Sequence, residues 1–150
     1  MKIAIAFDHA GFILKETIIN CIKKLGHNPI DFGTDSTQAV DYPDFASKAA
    51  KAVADKETER AIIVCGSGVG ACITANKFKG VRAAICHDTY SAAQGVEHDD
   101  MNTLCLGARI IGPTTAETII KSFLNVSFTN EERHKNRLNK VLAFEESNMK

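Results

Sequence analysis

Cys65 stands directly before Gly66-Ser67-Gly68-Val69-Gly70, and this run carries the most chemistry in the sequence. A glycine-rich turn that opens a helix exposes several backbone N–H groups at the positive end of the helix. Such a loop can cradle a phosphate or stabilise an oxyanion forming on a carbonyl oxygen. The same field favours thiolates, so a cysteine beside it is a candidate base or nucleophile at a carbonyl. The plainer reading of Cys65 is a small buried residue ending a strand. The glycine spacing is G-x-G-x-G, not the G-x-G-x-x-G of a dinucleotide site, and it follows the third strand-like run. Asp88, after the next run, mimics the ribose-binding acid of such sites, but the match is weak. A nucleotide-binding or sensor domain without catalysis is therefore the alternative from another function class.

Other reactive groups lie elsewhere in the chain. His98 sits in Glu97-His98-Asp99-Asp100-Met101-Asn102, an acidic stretch that reads as a turn before the last strand. An imidazole at the rim of a carbonyl site can serve as general acid or base. Arg133 and Arg137 are i, i+4 neighbours flanking His134, and two guanidinium forks on one face suit a phosphate. A solvated helix face is the simpler reading of such charges. Arg109 lies inside the apolar run Leu104–Ile111; read as part of a strand, it needs an anionic partner. His9, following the first strand, can reach the same ligand. No residues stand at a convincing metal-ligand spacing.

These residues need a scaffold, and the hydrophobic pattern supplies one. Short runs at Ile3–Phe7, Pro29–Phe32, Ala61–Cys65, Val81–Cys86 and Leu104–Ile111 are apolar without clean alternation, as in strands buried on both faces of a parallel sheet. Helical stripes lie between them. Leu14, Ile18, Cys21, Ile22 and Leu25 share one face, with Gly26 as the stop. Ala46, Ala49, Ala50 and Val53 make a second stripe, with Pro43 suited to its first turn. Further helices are expected from the glycine loop to Phe78, around Thr89–Gly95, through Ala116–Phe123 and over about 130–144. The alternation predicts a three-layer αβα, Rossmann-like single domain spanning 1–150, with a mainly parallel five-stranded sheet. Ligands of such folds sit beyond the carboxyl ends of the strands, so the reactive groups are expected to converge on one rim. The long stretch Gly33–Tyr42 reads as a functional loop.

Composition sets the outer limits. The 150 residues carry 18 Lys+Arg and 18 Asp+Glu, a balance that argues against a general nucleic-acid binder. No apolar run reaches the roughly 18 residues of a membrane span. The five cysteines, at 21, 65, 72, 86 and 105, are odd in number and contain no C-x-x-C pair. They fit neither a disulfide framework nor a zinc ribbon, and a cytoplasmic protein with reduced thiols is expected. Cys72 reads as packed but open to oxidation.

Taken together, Asp8-His9-Ala10-Gly11, Asp31-Phe32-Gly33-Thr34, Asp41-Tyr42-Pro43-Asp44, the Cys65 loop, Ala75-Asn76-Lys77, Cys86-His87-Asp88, Glu97-His98 and Leu106-Gly107-Ala108-Arg109 stand in the order and spacing of one family. The chain resembles the type-B ribose-5-phosphate isomerases and their relatives acting on galactose 6-phosphate and allose 6-phosphate, from Ile3 to about Val141. The resemblance implies an aldose–ketose isomerase of pentose phosphate metabolism that converts ribose 5-phosphate to ribulose 5-phosphate through an enediolate. A hexose 6-phosphate isomerase is the alternative within the class. Cys65 would be the general base, Ser67 standing where the family usually has Thr. The amides of Gly66, Gly68, Val69 and Gly70 would hold the enediolate. His98 would help open the furanose ring, with Asp8 and Tyr42 nearby. His9, Arg109, Arg133 and Arg137 would bind phosphate. The resemblance further implies a C-terminal helix that reaches a neighbouring subunit, in a homodimer or dimer of dimers with shared active sites, and no cofactor or metal. One departure bears on the substrate: Asp99 stands where the family has an asparagine facing the sugar hydroxyls. An ionised carboxylate only accepts hydrogen bonds, whereas an amide also donates them.

Overall fold

The three central strands form because each carries apolar residues on both faces and must be covered on both, while the two edge strands are only partly buried. The computed structural model describes residues 1–149. The strands are β1 (Lys2–Phe7), β2 (Asn28–Asp31), β3 (Arg60–Cys65), β4 (Ala83–Ile85) and β5 (Thr103–Gly107), in one sheet of order β2-β1-β3-β5-β4. Every pairing is parallel. The six helices are α1 (Lys15–Lys24), α2 (Tyr42–Ala54), α3 (Val69–Ala75), α4 (Thr89–Asp99), α5 (Pro113–Leu124) and α6 (Glu132–Asn148). The expected three-layer α/β architecture is what the chain adopts.

Alternate strand residues divide between two cores. Ile3, Ile5, Phe7, Ile62, Val64, Leu104 and Leu106 pack with α1, α4 and α5, through side chains such as Ile18, Ile22 and Phe123. Ala4, Ala6, Ala61, Ile63, Cys65 and Cys105 pack against the alanines of α2 and α3. The small residues on that second face let both helices approach the sheet closely. Chain direction reverses between β1 and β3, because β2 lies outside β1 while β3 and β5 lie on its other side. In open α/β sheets the ligand crevice forms at such a switch point, beyond the strands' carboxyl ends. Asp8 and Cys65 follow or end those two strands.

Four boundaries that bear on the site differ from the sequence expectation, and α6 runs on past 144 to Asn148. β4 is confined to Ala83–Ile85, within the longer apolar run. β5 stops at Gly107, where the N–H groups of Ile110 and Ile111 both turn back to the Gly107 carbonyl. Arg109 therefore lies in a turn beyond the strand and is exposed, not buried within it. α3 ends at Ala75, short of Phe78. α4 runs on to Asp99, so Glu97, His98 and Asp99 form its last turn and are not a loop.

The crevice depends on a close backbone approach at Gly11. A Cβ there would lie 2.3 Å from the Val64 carbonyl oxygen. Gly11→Ala is expected to cost about 2–3 kcal/mol, since backbone cannot swing aside as a side chain can. A denaturant titration checks this; a loss below about 0.5 kcal/mol would show that the turn yields freely.

Candidate active site

A cleft of about 340 Å³ opens at the switch point, lined by Asp8, Tyr42, Cys65, Gly66, Ser67, Gly70, Arg109 and Ile110. Each element that follows a strand delivers part of it. After β1, the buried Asp8 carboxylate accepts the N–H groups of Ala10 and Gly11 at 2.9 and 2.8 Å, which fixes the turn. His9 is half-buried, and its Nδ1 accepts the N–H of Val40 at 3.2 Å. That bond ties down the end of the 33–42 loop, whose start is held by Lys15 on Asp31 and Asp35 at 2.7 and 2.9 Å. Tyr42 opens α2 and lies against the glycine loop: a Cβ at Gly70 would fall 2.5 Å from its ring.

The Cys65 loop is built as the glycines require. Gly68 has φ +84°, and a Cβ there would press on the Leu106 carbonyl at 3.1 Å, so both backbone conformation and space select glycine. Its N–H donates to Cys65 Sγ at 3.1 Å, and the Val69 N–H donates to Ser67 Oγ at 3.3 Å. Among the described residues, the N–H groups of Gly66, Ser67 and Gly70 have no protein acceptor. With only seven residues in α3, these individual donors matter more than a helix dipole. The Arg109 guanidinium covers Gly66, with Nη1 3.5 Å from where a Cβ would stand. The turn that carries Arg109 is laced to the loop by Ala108 N–H to the Cys65 carbonyl and Arg109 N–H to the Gly66 carbonyl, at 2.9 and 3.0 Å. A sulfur, a set of unpaired N–H groups, a carboxylate, a hydroxyl, a phenol and a guanidinium thus surround one space. That arrangement can remove a proton next to a carbonyl and hold the resulting oxyanion.

One group lining this cleft escaped the sequence reading: Ile110, which reaches it because β5 ends early. His87, expected at the rim from its place after the fourth strand but given no role, accepts the Gly107 N–H on Nε2 at 2.9 Å and supports the turn beneath Arg109. Asp88 caps α4 by accepting the Ser91 N–H at 2.7 Å. Cys72 is half-buried in α3, and its pKa is drawn down to about 7, chiefly by a hydrogen bond from the Cys105 thiol, against the opposing effect of burial.

The remaining expected site residues do not join that rim. α4 returns to the end of the sheet where the strands begin: Arg82, just before β4, donates to the Asp100 carbonyl at 2.7 Å, and the Asn102 carbonyl accepts from Ala61 at the start of β3. The length of β3, roughly 15–20 Å, separates this end from Cys65. His98 here stacks on His134 of α6, ring centroids 4.0 Å apart and planes 21° off parallel. Arg133 and Arg137 stand on the same first turns of α6 and are exposed; Arg133 pairs with Glu131 at 2.8 Å. Asp99 is exposed and lines a separate groove of about 580 Å³ with Met101, Leu138, Val141, Leu142 and Phe144. Helix periodicity explains the separation. A helix that starts at the carboxyl rim ends at the opposite one, and α4 proved long enough to carry His98 there. Among the described residues, no group of three or more His, Cys, Asp or Glu is placed to hold a metal ion, and no helix is long and apolar enough to cross a membrane.

His134 is 1% exposed, and neither ring nitrogen has a hydrogen-bond partner. Burial lowers its pKa below the usual 6.5, as do the charges of His98, Arg133 and Arg137, while Glu131, 3.9 Å from Nε2, opposes them. The folded ring therefore binds protons less readily than the unfolded one. Stability then rises with pH through this range, and is lost as pH falls below the unfolded value. Melting temperature is expected to drop between pH 7.5 and 5.5. His134→Phe, which keeps a ring but cannot titrate, should flatten that slope; an unchanged slope would assign it to other groups.

Comparison with known proteins gives a consistent picture. The sequence model described as Ribose/Galactose Isomerase matches residues 3–141. Ribose-5-phosphate isomerase B of Escherichia coli (strain K12) is 41% identical over 97% of this chain and 97% of its own. The solved structure of Clostridium thermocellum ribose-5-phosphate isomerase B superposes with a TM-score of 0.93 at 44% identity, covering 98% of this chain and 99% of that one. The Mycoplasma genitalium enzyme of the same name, solved with bound ribulose-5-phosphate, gives 0.91 at 37% identity, covering 97% and 96%.

Proposed function

The chain belongs to the ribose/galactose isomerase family and is a sugar-phosphate isomerase, and from that premise we propose that it interconverts ribose 5-phosphate and ribulose 5-phosphate with Cys65 as the base. The observation that carries the proposal is the Cys65 loop: a sulfur beside three N–H groups that have no protein acceptor, in a cleft closed by Arg109. Cys65 takes the proton from C2 of the open-chain aldose, and the electron pair forms the enediolate. The N–H groups of Gly66, Ser67 and Gly70 hold the oxygen on which charge develops. The Ser67 hydroxyl exchanges a proton between O2 and O1, and the sulfur returns its proton to C1. Arg109 and His9 bind the phosphate, a fixed anchor that sets C1 and C2 against the sulfur. No redox cofactor enters this proton balance.

The aldose is mostly a closed furanose and must be opened first. The C1–O4 bond breaks, O4 takes a proton from His98, and the O1 hydroxyl gives its proton to the Asp8 carboxylate as C1–O1 becomes a carbonyl. His98, Asp99, Arg133 and Arg137 lie a strand's length from the Cys65 of their own chain. They serve the cleft of a second copy, to which the exposed Val141, Leu142 and Phe144 of α6 offer an apolar face. The site is then shared within a homodimer, and pairs of dimers are compatible with it.

Tyr42, packed on Gly70, narrows the cleft and favours a five-carbon substrate. The substrate assignment is tested with ribose 5-phosphate, allose 6-phosphate and galactose 6-phosphate in parallel. The highest kcat/KM is expected for ribose 5-phosphate. A preference for either hexose phosphate would keep the chemistry and move the substrate, with Asp99 the residue to exchange for Asn. Turnover of none of them, with stabilisation by a nucleotide instead, would support the sensor reading.

A further inference from the structure

His98 is gripped from two sides. One turn earlier on α4, the Gln94 side-chain amide nitrogen stands 2.9 Å from His98 Nδ1. With the amide turned this way its nitrogen donates, so Nδ1 accepts and the neutral ring carries its proton on Nε2. On its face lies His134, stacked at 4.0 Å with both nitrogens buried and unpartnered. A buried imidazole that forgoes every hydrogen bond is costly, and the contacts its ring makes are the stack on His98 and the approach of Glu131 to Nε2 at 3.9 Å. Glu97 and Asp99 flank His98 on α4, and Glu131 at the N-cap of α6, with Arg133 and Arg137 within it, surround the stacked His134. None of these charged groups is hydrogen-bonded to the His98 ring. Gln94 and His134 are therefore the groups in contact with the His98 nitrogen and the His98 face.

We propose that Gln94 and His134 are positioning residues that present His98 to a cyclic substrate as an Nε2–H donor. The inference rests on the reading that His98 opens the furanose ring. In that step O4 takes the Nε2 proton as the C1–O4 bond breaks, and the proton that O1 releases to Asp8 passes back through water to Nε2, so His98 is neutral before and after. A ring locked with its proton on Nδ1 would turn a lone pair toward O4 instead and could not supply it. Glutamine at this position selects the productive tautomer, and the stacked ring removes the freedom to rotate away from it.

Long-range 1H–15N spectra of the intact protein, with His98 assigned by its disappearance in His98→Asn, read the tautomer directly. The expected result is Nε2–H in the wild type, a mixture in Gln94→Leu, and Nδ1–H in Gln94→Glu, whose carboxylate accepts. An unchanged His98 tautomer in Gln94→Glu would overturn the Gln94 assignment. Kinetics supply a second measure. Erythrose 4-phosphate cannot close a furanose, because its O4 carries the phosphate. Gln94→Leu and His134→Ala should each lower kcat for ribose 5-phosphate about tenfold, as small misplacements of acid groups do, and change erythrose 4-phosphate turnover less than about twofold. His134→Phe keeps the stack and should stay within about threefold of wild type on both. Equal losses in His134→Phe and His134→Ala would overturn the stacking role. If His98→Asn slows both substrates alike, the ring-opening reading falls, while the tautomer spectra still decide whether Gln94 sets the proton.

Discussion

Cys65→Ala is expected to lower kcat on ribose 5-phosphate by about 10³–10⁴-fold while KM stays within a few-fold. Removing the sulfur removes the only group in the cleft placed to carry a proton between C2 and C1. Asp8 holds the Ala10 and Gly11 amides on Oδ1 and is assigned to the O1 proton during ring opening, and Tyr42 packs on Gly70. Binding survives because the phosphate anchors and the loop N–H groups do not depend on the sulfur. An interaction lost only in the transition state reduces kcat and kcat/KM together, and leaves KM alone. The fold should survive as well. Cys65 belongs to a cluster of alanines, and replacing it with another small residue leaves little void. A melting curve within a few degrees of wild type, beside the lost turnover, separates chemistry from stability. A fall in kcat below about tenfold would take Cys65 out of the proton path.

The visibility of this site in the sequence followed from how local its parts are. The Cys65 loop was legible because its glycines answer to nearby backbone: the positive φ of Gly68 and the tight fit of Gly70 under Tyr42. Asp8, His9 and Tyr42 were legible for the same reason, each standing just after a strand or at the start of a helix. The two-faced strands were legible because both sides must be apolar. Arg109 was misplaced, because Ile110 and Ile111 continue an apolar run that the chain interrupts with a turn at Gly107. Apolar composition marks burial or a cleft wall equally well, and Ile110 is the second kind. His98 was read as a turn residue because its acidic neighbours resemble a loop. Asp88, capping α4 from its far end, supports the extra turn that carries His98 away from the Cys65 rim. The Gln94–His98–His134 group could not be read at all. It depends on α6 docking against α4, a contact between segments some forty residues apart with no shared motif.

That distance across the sheet makes a mixing experiment decisive for the shared site. Arg137→Ala should lower kcat/KM about 100-fold by removing a charge-assisted contact to phosphate. Cys65→Ala should be inactive for the reason above. Neither homodimer then turns over dilute substrate. In a hybrid dimer, one site combines the intact Cys65 of the Arg137→Ala chain with the intact Arg137 of the Cys65→Ala chain. The other site carries both defects. Equal mixing by chance gives hybrids as half of all dimers, each with one working site, so about a quarter of wild-type activity should return. A site contained in one chain would give no recovery, because every chain would still carry its own defect. Recovery near a quarter, tracking the hybrid fraction seen by native mass spectrometry, identifies α6 as the element that completes its neighbour's cleft. Hybrids formed without recovery would return His98, Asp99, Arg133 and Arg137 to a role outside catalysis. Phosphate binding would then rest on His9 and Arg109 alone.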